Sequence, residues 1–341
     1  MSAAPKFDVY FYEAFEEEVE ALRRNLPAQM RAEFTGKTIQ ETGNAEPPAR
    51  LISIRTQSVI PTGWGSKLSG IVSRTTGYDH LTELKIPCGY LPTYCGRAVA
   101  EQAALFWMAL LRKLPQQTEH FARFNRDGLT GLECAGKKLL VVGVGNVGVE
   151  IVKIGLGLGM DVRGVDILQK HPVVTYISID DGLPWADVIV CAMNLTAENA
   201  GYFRYETLKR AKTGAIFVNI ARGEHAPTAD LVRLLDEEYL GGVALDVYEN
   251  EPQLATELRA DGLVGAASRP RPEASPFAAG RRSHEDAAPT SIQALAGRPN
   301  VILTPHNAFN TAEAVERKAE QTIHQIDEFL KTGKFVWPVP S

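Results

Sequence analysis

Three polar clusters could carry chemistry in this sequence, and each follows a short apolar run. Asn219-Ile220-Ala221-Arg222-Gly223 comes after AIFVN, Asp246 to Pro252 (DVYENEP) after GGVAL, and Thr304-Pro305-His306 after VIL. If the runs are parallel strands of one open α/β sheet, the clusters lie at its carboxyl ends, where such sheets bind ligands. A base (His306), a guanidinium (Arg222) and a carboxylate (Glu249 or Glu251) would then converge on one crevice. That set is suited to moving a proton beside a bound anion. Spacing alone does not choose between Glu249 and Glu251.

A fourth cluster lies upstream. Gly143-Val144-Gly145-Asn146-Val147-Gly148 follows KKLLVV and opens a helical pattern, and 17 residues separate Gly148 from Asp166, which ends a second strand pattern, MDVRGVD. Strand, glycines, helix and acid in this register form the dinucleotide fingerprint. The glycines permit a tight turn and close approach of backbone to a pyrophosphate, and the helix N-terminus offers N–H groups to it. Asp166 would accept from the adenosine ribose hydroxyls and repel a 2′-phosphate, so the expected cofactor is NAD rather than NADP.

The elements that must position these clusters alternate along the chain. Phe7 to Tyr12 is strand-like, Ala14 to Leu26 is acidic at its start and basic at its end as a helix dipole prefers, and Leu51–Ile54 and Leu68–Ser73 suggest further strands. Arg97 to Leu114 is a long apolar helical pattern, expected to link two domains. Strand runs then recur at Lys137–Gly145, Asp161–Asp166, Val188–Met193, Ala215–Asn219, Gly242–Leu245 and Val301–Leu303, at helical spacings, as in a parallel sheet buried on both faces. An amphipathic helix is expected over Ala312–Leu330. Gln253 to Gly297 interrupts the alternation, and its middle is rich in Ala, Pro, Arg and Ser, which reads as a surface excursion.

Bulk properties narrow the partners. The chain has 341 residues, 45% hydrophobic and 23% charged, which suits two globular domains. A net charge of -5 without a dense Lys/Arg block argues against nucleic acid and for a small molecule. Cys88, Cys95, Cys134 and Cys191 have no zinc spacing and read as thiols of a reducing compartment. Neither a signal-peptide pattern nor a membrane-length apolar run is found, so a soluble, cytoplasmic protein is expected.

Taken in order, the glycine fingerprint, VNIARG, ALDVYENEP and ILTPH make the sequence resemble the D-isomer-specific 2-hydroxyacid dehydrogenase family. VSRTTGYDHL at Val72 to Leu81 and PTYCGRAVAEQ at Pro92 to Gln102 extend the likeness upstream. The resemblance implies a Rossmann NAD-binding domain and a flavodoxin-like substrate domain, with the active site in the cleft between them. The substrate domain is expected over residues 1–98 plus 308–341, and the NAD-binding domain over 99–307 with the insertion 253–297. Closure of the domains would exclude water. The reaction implied is interconversion of a D-2-hydroxy acid and its 2-keto acid, which needs a hydride, a proton for the carbonyl oxygen and a cation for the carboxylate. His306 would move the proton, Glu251 (chosen over Glu249 by the family register) would orient the imidazole and stabilise its protonated form, and Arg222 would clamp the carboxylate.

The likeness also assigns Thr76 and Gly77 to a loop whose N–H groups bind the substrate carboxylate, and Tyr94 to substrate contact, although a packed aromatic is the competing reading there. Asn146, Val147, Ile220 and Ala221 would line the cofactor beside the glycines, and Asp246 would lie near its nicotinamide end. Asn194-Leu195-Thr196 departs from the family, many members having proline before Leu-Thr. The run from His306 to Val315 is most like the D-lactate branch, so a pyruvate-like acid is expected, with a glyoxylate or hydroxypyruvate reductase as the neighbouring alternative. A formate dehydrogenase is disfavoured because that enzyme has glutamine where Glu251 stands. An NAD(H)-sensing co-repressor, which keeps the same triad, is the alternative from another class. A homodimer is implied, using the apolar Arg97–Leu114 segment.

Overall fold

The apolar runs assemble into two parallel sheets, each belonging to its own compact unit in the computed structural model, which describes residues 6–261 and 291–340. One unit comprises Met1–Val99 with Phe309–Ser341, the other Ala100–Ala308.

In the first unit the strands are β1 (Val9–Phe11), β2 (Ala32–Phe34), β3 (Leu51–Ile54), β4 (Gly70–Ser73) and β5 (Cys88–Gly89), in the order β2-β1-β3-β4-β5. Every pairing is parallel, with Phe11 opposite both Phe34 and Ser53. This order is the flavodoxin-like one. Side chains of a strand alternate between faces, so a sheet covered on both sides must be apolar throughout. Leu51 packs with Val9, Phe11 and Val72 against Leu22, Ile323, Ile326 and Phe329 of helices Glu16–Asn25 and Ala312–Thr332. Ile52 and Ile54 turn the other way, onto Tyr12, Trp64 and Ile71.

The second unit adds β6 (Lys138–Val142), β7 (Asp161–Val165), β8 (Thr175–Tyr176), β9 (Val188–Cys191), β10 (Ile216–Asn219), β11 (Gly242–Leu245) and β12 (Val301–Leu303), in the order β12-β11-β10-β9-β6-β7-β8. All of its pairings are parallel, and the order reverses between β6 and β9, as in a Rossmann sheet. Strands β9, β10 and β11 are buried at every position, which is why they read as unbroken apolar runs.

Two expectations need correction. The helix expected over Arg97–Leu114 runs Gly96–Leu111, and Leu114–His120 is a separate helix. Pro115 has no N–H for the Leu111 carbonyl, which accepts instead from Leu132 at 2.8 Å, and Lys113 takes a left-handed turn with φ 53°. The excursion from Gln253 to Gly297 is helical at its ends, in Glu251–Asp261 and Ser291–Leu295, and Leu295 joins the core. Its middle, 262–290, lies outside the described residues.

Beneath the first sheet lies an ionic cluster with no solvent contact. Arg74, just past β4, donates through Nε to Glu18 Oε1 at 2.9 Å, and its two terminal nitrogens reach Ser53 Oγ at 2.9 Å and the Tyr12 carbonyl at 2.6 Å. Lys318 Nζ meets the same Glu18 oxygen at 2.5 Å, and all three ionic side chains have zero exposure. Burial opposes ionisation of Glu18, but Arg74, Lys318 and Arg55 outweigh it and hold the carboxyl below its usual range. Burial drives Lys318 the other way, well below the usual 10.5, with Arg55 and Arg74 adding repulsion that Glu18 only partly offsets. Between that lowered value and 10.5 the unfolded chain binds more protons than the folded one, so folding stability rises with pH there. Relative to Lys318→Met, the wild-type unfolding free energy should climb from neutral toward alkaline pH, by at most about 1.4 kcal/mol per pH unit. Chemical denaturation across that range checks it, and parallel curves would mean that Lys318 titrates normally.

Candidate active site

The glycine turn after β6 is shaped by what surrounds it. Gly143 has φ 92°, and a Cβ there would meet Met193 N at 2.6 Å and Ala192 O at 2.7 Å; one on Gly148 would meet the Gly143 carbonyl at 2.1 Å. At Gly145 a Cβ would meet nothing within 4 Å. Gly145 also starts helix Asn146–Gly157 without a side-chain cap. Backbone N–H groups at an uncapped helix start, beside open space, make a cradle that fits a pyrophosphate. Asp166 stands past the end of β7, its carboxylate fixed by Val144 N at 2.6 Å and Leu168 N at 2.8 Å. Each of its oxygens keeps a lone pair for a ribose hydroxyl. The residues present therefore fit NAD.

Beyond β12 the chain turns sharply through His306, whose φ is 51°, a left-handed conformation for a residue with a side chain. Asp246, following β11, holds this turn. Its Oδ1 accepts from Thr304 Oγ1 at 2.5 Å and Asn307 N at 2.8 Å, and its Oδ2 from Ala308 N at 2.8 Å. Burial raises the Asp246 carboxyl above its ordinary value, against these donors and the neighbouring imidazole. Asp246 is 1% exposed, and its carboxylate is engaged by the residues of the His306 turn.

The imidazole faces Glu251. His306 Nδ1 lies 2.8 Å from Oε1 and 2.9 Å from Oε2, both side chains being about a quarter exposed or less. Glu249, which spacing could not distinguish, does something else: its Oε2 accepts from Thr228 N at 2.7 Å at the start of helix Thr228–Asp236, where Pro227 offers no side-chain cap. Tyr248 is the residue that motif reading missed. Its hydroxyl donates to the Thr304 carbonyl at 2.7 Å, bracing the His306 turn from below.

Arg222 is placed by Asn219 at the end of β10, whose Nδ2 donates to the Arg222 carbonyl at 2.8 Å and whose Oδ1 accepts from Ala221 N at 3.1 Å. Ile220 and Ala221 lie in the same turn. The next residue locks it to its neighbour: a Cβ on Gly223 would sit 1.9 Å from the Tyr248 carbonyl carbon and 2.2 Å from Glu249 N. Backbone contact this close admits no side chain, so the loops bearing Arg222 and Glu251 have one mutual position.

The first unit holds the other assigned residues. Thr75 Oγ1 donates to the Gly77 carbonyl at 2.7 Å, and Thr76 Oγ1 donates to the Leu91 carbonyl at 3.1 Å, which ties the loop after β4. Among the described residues, the backbone N–H groups of Thr76 and Gly77 donate to no internal acceptor. Tyr94 is only 4% exposed and packs edge-on against Phe309, and burial raises its hydroxyl well above the usual value. The packed-aromatic reading of Tyr94 thus describes its surroundings.

Among the described residues, no helix is long and apolar enough to cross a membrane, and no group of His, Cys, Asp and Glu could hold a metal ion. Residues 104–308 match the model of the D-isomer specific 2-hydroxyacid dehydrogenase NAD binding domain. The chain is 30% identical over 276 residues to a 2-hydroxyacid dehydrogenase homolog of Haemophilus influenzae, covering 77% of this chain and 76% of that one. It is 29% identical over 264 residues to the D-lactate dehydrogenase of Streptococcus pyogenes, covering 75% and 72%. The D-lactate dehydrogenase of Aquifex aeolicus, solved with NAD and lactic acid, superposes with a TM-score of 0.78 at 25% identity, over 98% of this chain and 100% of that one. With the cradle, Asp166 and the His306–Glu251 pair in place, these matches show that the chain belongs to the D-isomer-specific 2-hydroxyacid dehydrogenase family, the NAD-dependent oxidoreductases of D-2-hydroxy acids.

Proposed function

We propose that the protein reduces a short 2-keto acid of the pyruvate type, and oxidises the matching D-2-hydroxy acid in reverse, with His306 moving the proton. The observation that carries this reading is the His306–Glu251 pair at 2.8 Å on a turn held by a buried carboxylate. Glu251 takes up Nδ1, so Nε2 gives a proton to the carbonyl oxygen in reduction and recovers it from the hydroxyl in oxidation. NADH, when bound, supplies the hydride that reaches the carbonyl carbon. Arg222 clamps the carboxylate and polarises the carbonyl, a planar fork matching a planar acid. The N–H groups of Thr76 and Gly77 bind carboxylate oxygen, and Tyr94, next to the Cys95 that lies 3.2 Å from Thr76 Oγ1, contacts the substrate. Gly143, Gly145, Asn146, Val147 and Gly148 hold the pyrophosphate, Asp166 the ribose, and Ile220 and Ala221 line the cofactor, so that residues 100–308 are the NAD-binding domain and the remaining unit is the substrate domain.

Oligomeric state and compartment belong to the same proposal. Leu105, Met108, Leu114, Phe121, Phe124 and Leu132 are each at least 40% exposed, an apolar surface on and after helix Gly96–Leu111 that supports a homodimer. The thiols of Cys88, Cys95 and Cys191 are buried and unpaired, as suits the cytoplasm.

Four outcomes are expected. In assays of NADH absorbance with a panel of 2-keto acids, at least one acid is turned over to the D-product. His306→Gln lowers kcat roughly 10²- to 10⁴-fold while NADH affinity, read by fluorescence, is retained. A protein that binds NADH but turns over no acid would contradict the oxidoreductase assignment. Replacing Asp166 by serine removes the charge facing a 2′-phosphate and should raise NADPH use relative to NADH; an unchanged cofactor ratio would place the ribose elsewhere. Light scattering should give twice the monomer mass, and Phe121→Ser with Phe124→Ser should lower it; a wild-type monomer would end the dimer proposal.

A further inference from the structure

One cation at the carboxyl end of the first sheet acts on Glu18 only at a distance and makes no ion pair among the described residues. Arg55 directly follows β3, its guanidinium lying 4.7 Å from the centre of the Phe309 ring and 5.5 Å from that of Phe15. Its Nε is buried and makes no hydrogen bond. The two other cations nearby, Arg74 and Lys318, both meet Glu18. Glu13, the remaining acid at this strand end, directs its carboxylate to backbone N–H groups, at 3.4 Å from Arg55, 3.0 Å from Gln57 and 2.9 Å from Ser58. Stacking on two rings fixes the arginine fork before any anion arrives, so little side-chain freedom is lost on binding.

Its place in the unit is as telling as its chemistry. Arg74 N donates to the Ile54 carbonyl at 2.8 Å, so the ends of β3 and β4 are adjacent, and the Thr76–Gly77 loop leaves from the second of them. Phe309, the ring under Arg55, also packs on Tyr94 at 6.4 Å, and Cys95 beside Tyr94 touches Thr76. Arg55 therefore shares one end of the sheet, and one aromatic neighbour, with the residues assigned to the substrate.

We propose that Arg55 receives a second carboxylate, carried on the side chain of the substrate, so that the preferred 2-keto acid is a short 2-oxo dicarboxylate such as oxaloacetate or 2-oxoglutarate. This rests on the reading of the protein as a 2-keto acid reductase and specifies its substrate class. A single guanidinium without an ion-pair partner suits one carboxylate, whereas a phosphate monoester carries nearly twice the charge and asks for more donors.

The test compares oxaloacetate and 2-oxoglutarate with the uncharged-chain acids 2-oxobutyrate and 2-oxopentanoate, by NADH oxidation at saturating NADH. For the wild type, kcat/KM should favour the diacids by roughly 10- to 100-fold, the range of a charge-assisted hydrogen bond. Arg55→Leu should collapse that ratio toward unity, chiefly through KM, and Arg55→Lys should keep part of it by retaining the charge without the fork. Should the leucine variant fail to fold by circular dichroism, the wild-type ratio and the lysine variant decide. Equal or better use of the uncharged acids, a ratio untouched by either substitution, or a phosphorylated keto acid as the best substrate would each overturn the proposal. If pyruvate and uncharged acids are reduced well and diacids poorly, the reductase reading stands and this inference falls; if no acid is reduced, both fall.

Discussion

Asp246 is an ionisable side chain with almost no exposure, and its two oxygens gather three donors from the turn after β12. Burying a carboxylate is costly unless its lone pairs are satisfied, and here the donors that satisfy it belong to the residues flanking His306. The arrangement also holds a left-handed residue with a bulky side chain, a conformation that costs on the order of 1–3 kcal/mol when left to itself. The turn cannot relax without stripping Asp246 of its partners in a dry interior. The direction of the imidazole therefore follows from a buried carboxylate, and Glu251 only has to meet a ring already aimed at it.

The same device recurs at the end of β4. Arg74 is anchored by Glu18, Ser53 and the Tyr12 carbonyl, so the strand end from which the Thr75–Gly77 loop departs is fixed from three elements at once. An isolated charge pair in the interior barely repays its desolvation, but breaking one is expensive, which makes such pairs better at specifying position than at adding stability. Gly223 achieves a comparable result without charge. Its backbone lies so close to Tyr248 and Glu249 that the loops carrying Arg222 and Glu251 are in register by contact alone.

Much of this was legible in the sequence wherever a local rule applied. Strands β6, β9, β10, β11 and β12 are apolar on both faces and bounded by polar clusters, and the fingerprint from Gly143 to Asp166 is a local strand–turn–helix–strand arrangement. The edges were harder. β2 has three residues, none of them buried, and β5 and β8 have two each, too few to show a period. Helix Gly96–Leu111 was overextended because its apolar pattern continues past the point where Pro115 stops the hydrogen bonding. The roles of single acids were illegible for another reason. Glu249 and Glu251 differ only in which partner reaches them, Thr228 N or His306, and neither partner is adjacent in sequence. Arg74 and Glu18 stand 56 residues apart, and nothing in their flanks marks them as a buried pair.

These distances separate two classes of polar group. Groups that fix geometry, namely Asp246, Glu18 and Arg74, are essentially unexposed and have their hydrogen-bonding capacity met by protein. His306, which has to exchange a proton with something outside the fold, keeps a quarter of its side chain exposed and has only Nδ1 tied to Glu251. The separation is a physical requirement. A side chain saturated by internal partners would have to lose them before meeting a substrate, and in a low-dielectric interior that loss would exceed the gain from one new hydrogen bond. Arg74 is therefore unsuited to substrate recognition although it sits beside the Thr76–Gly77 loop. Arg55 is its opposite: one residue past the paired strand, its guanidinium lies over the Phe309 ring and its Nε makes no hydrogen bond, so internal partners do not saturate it.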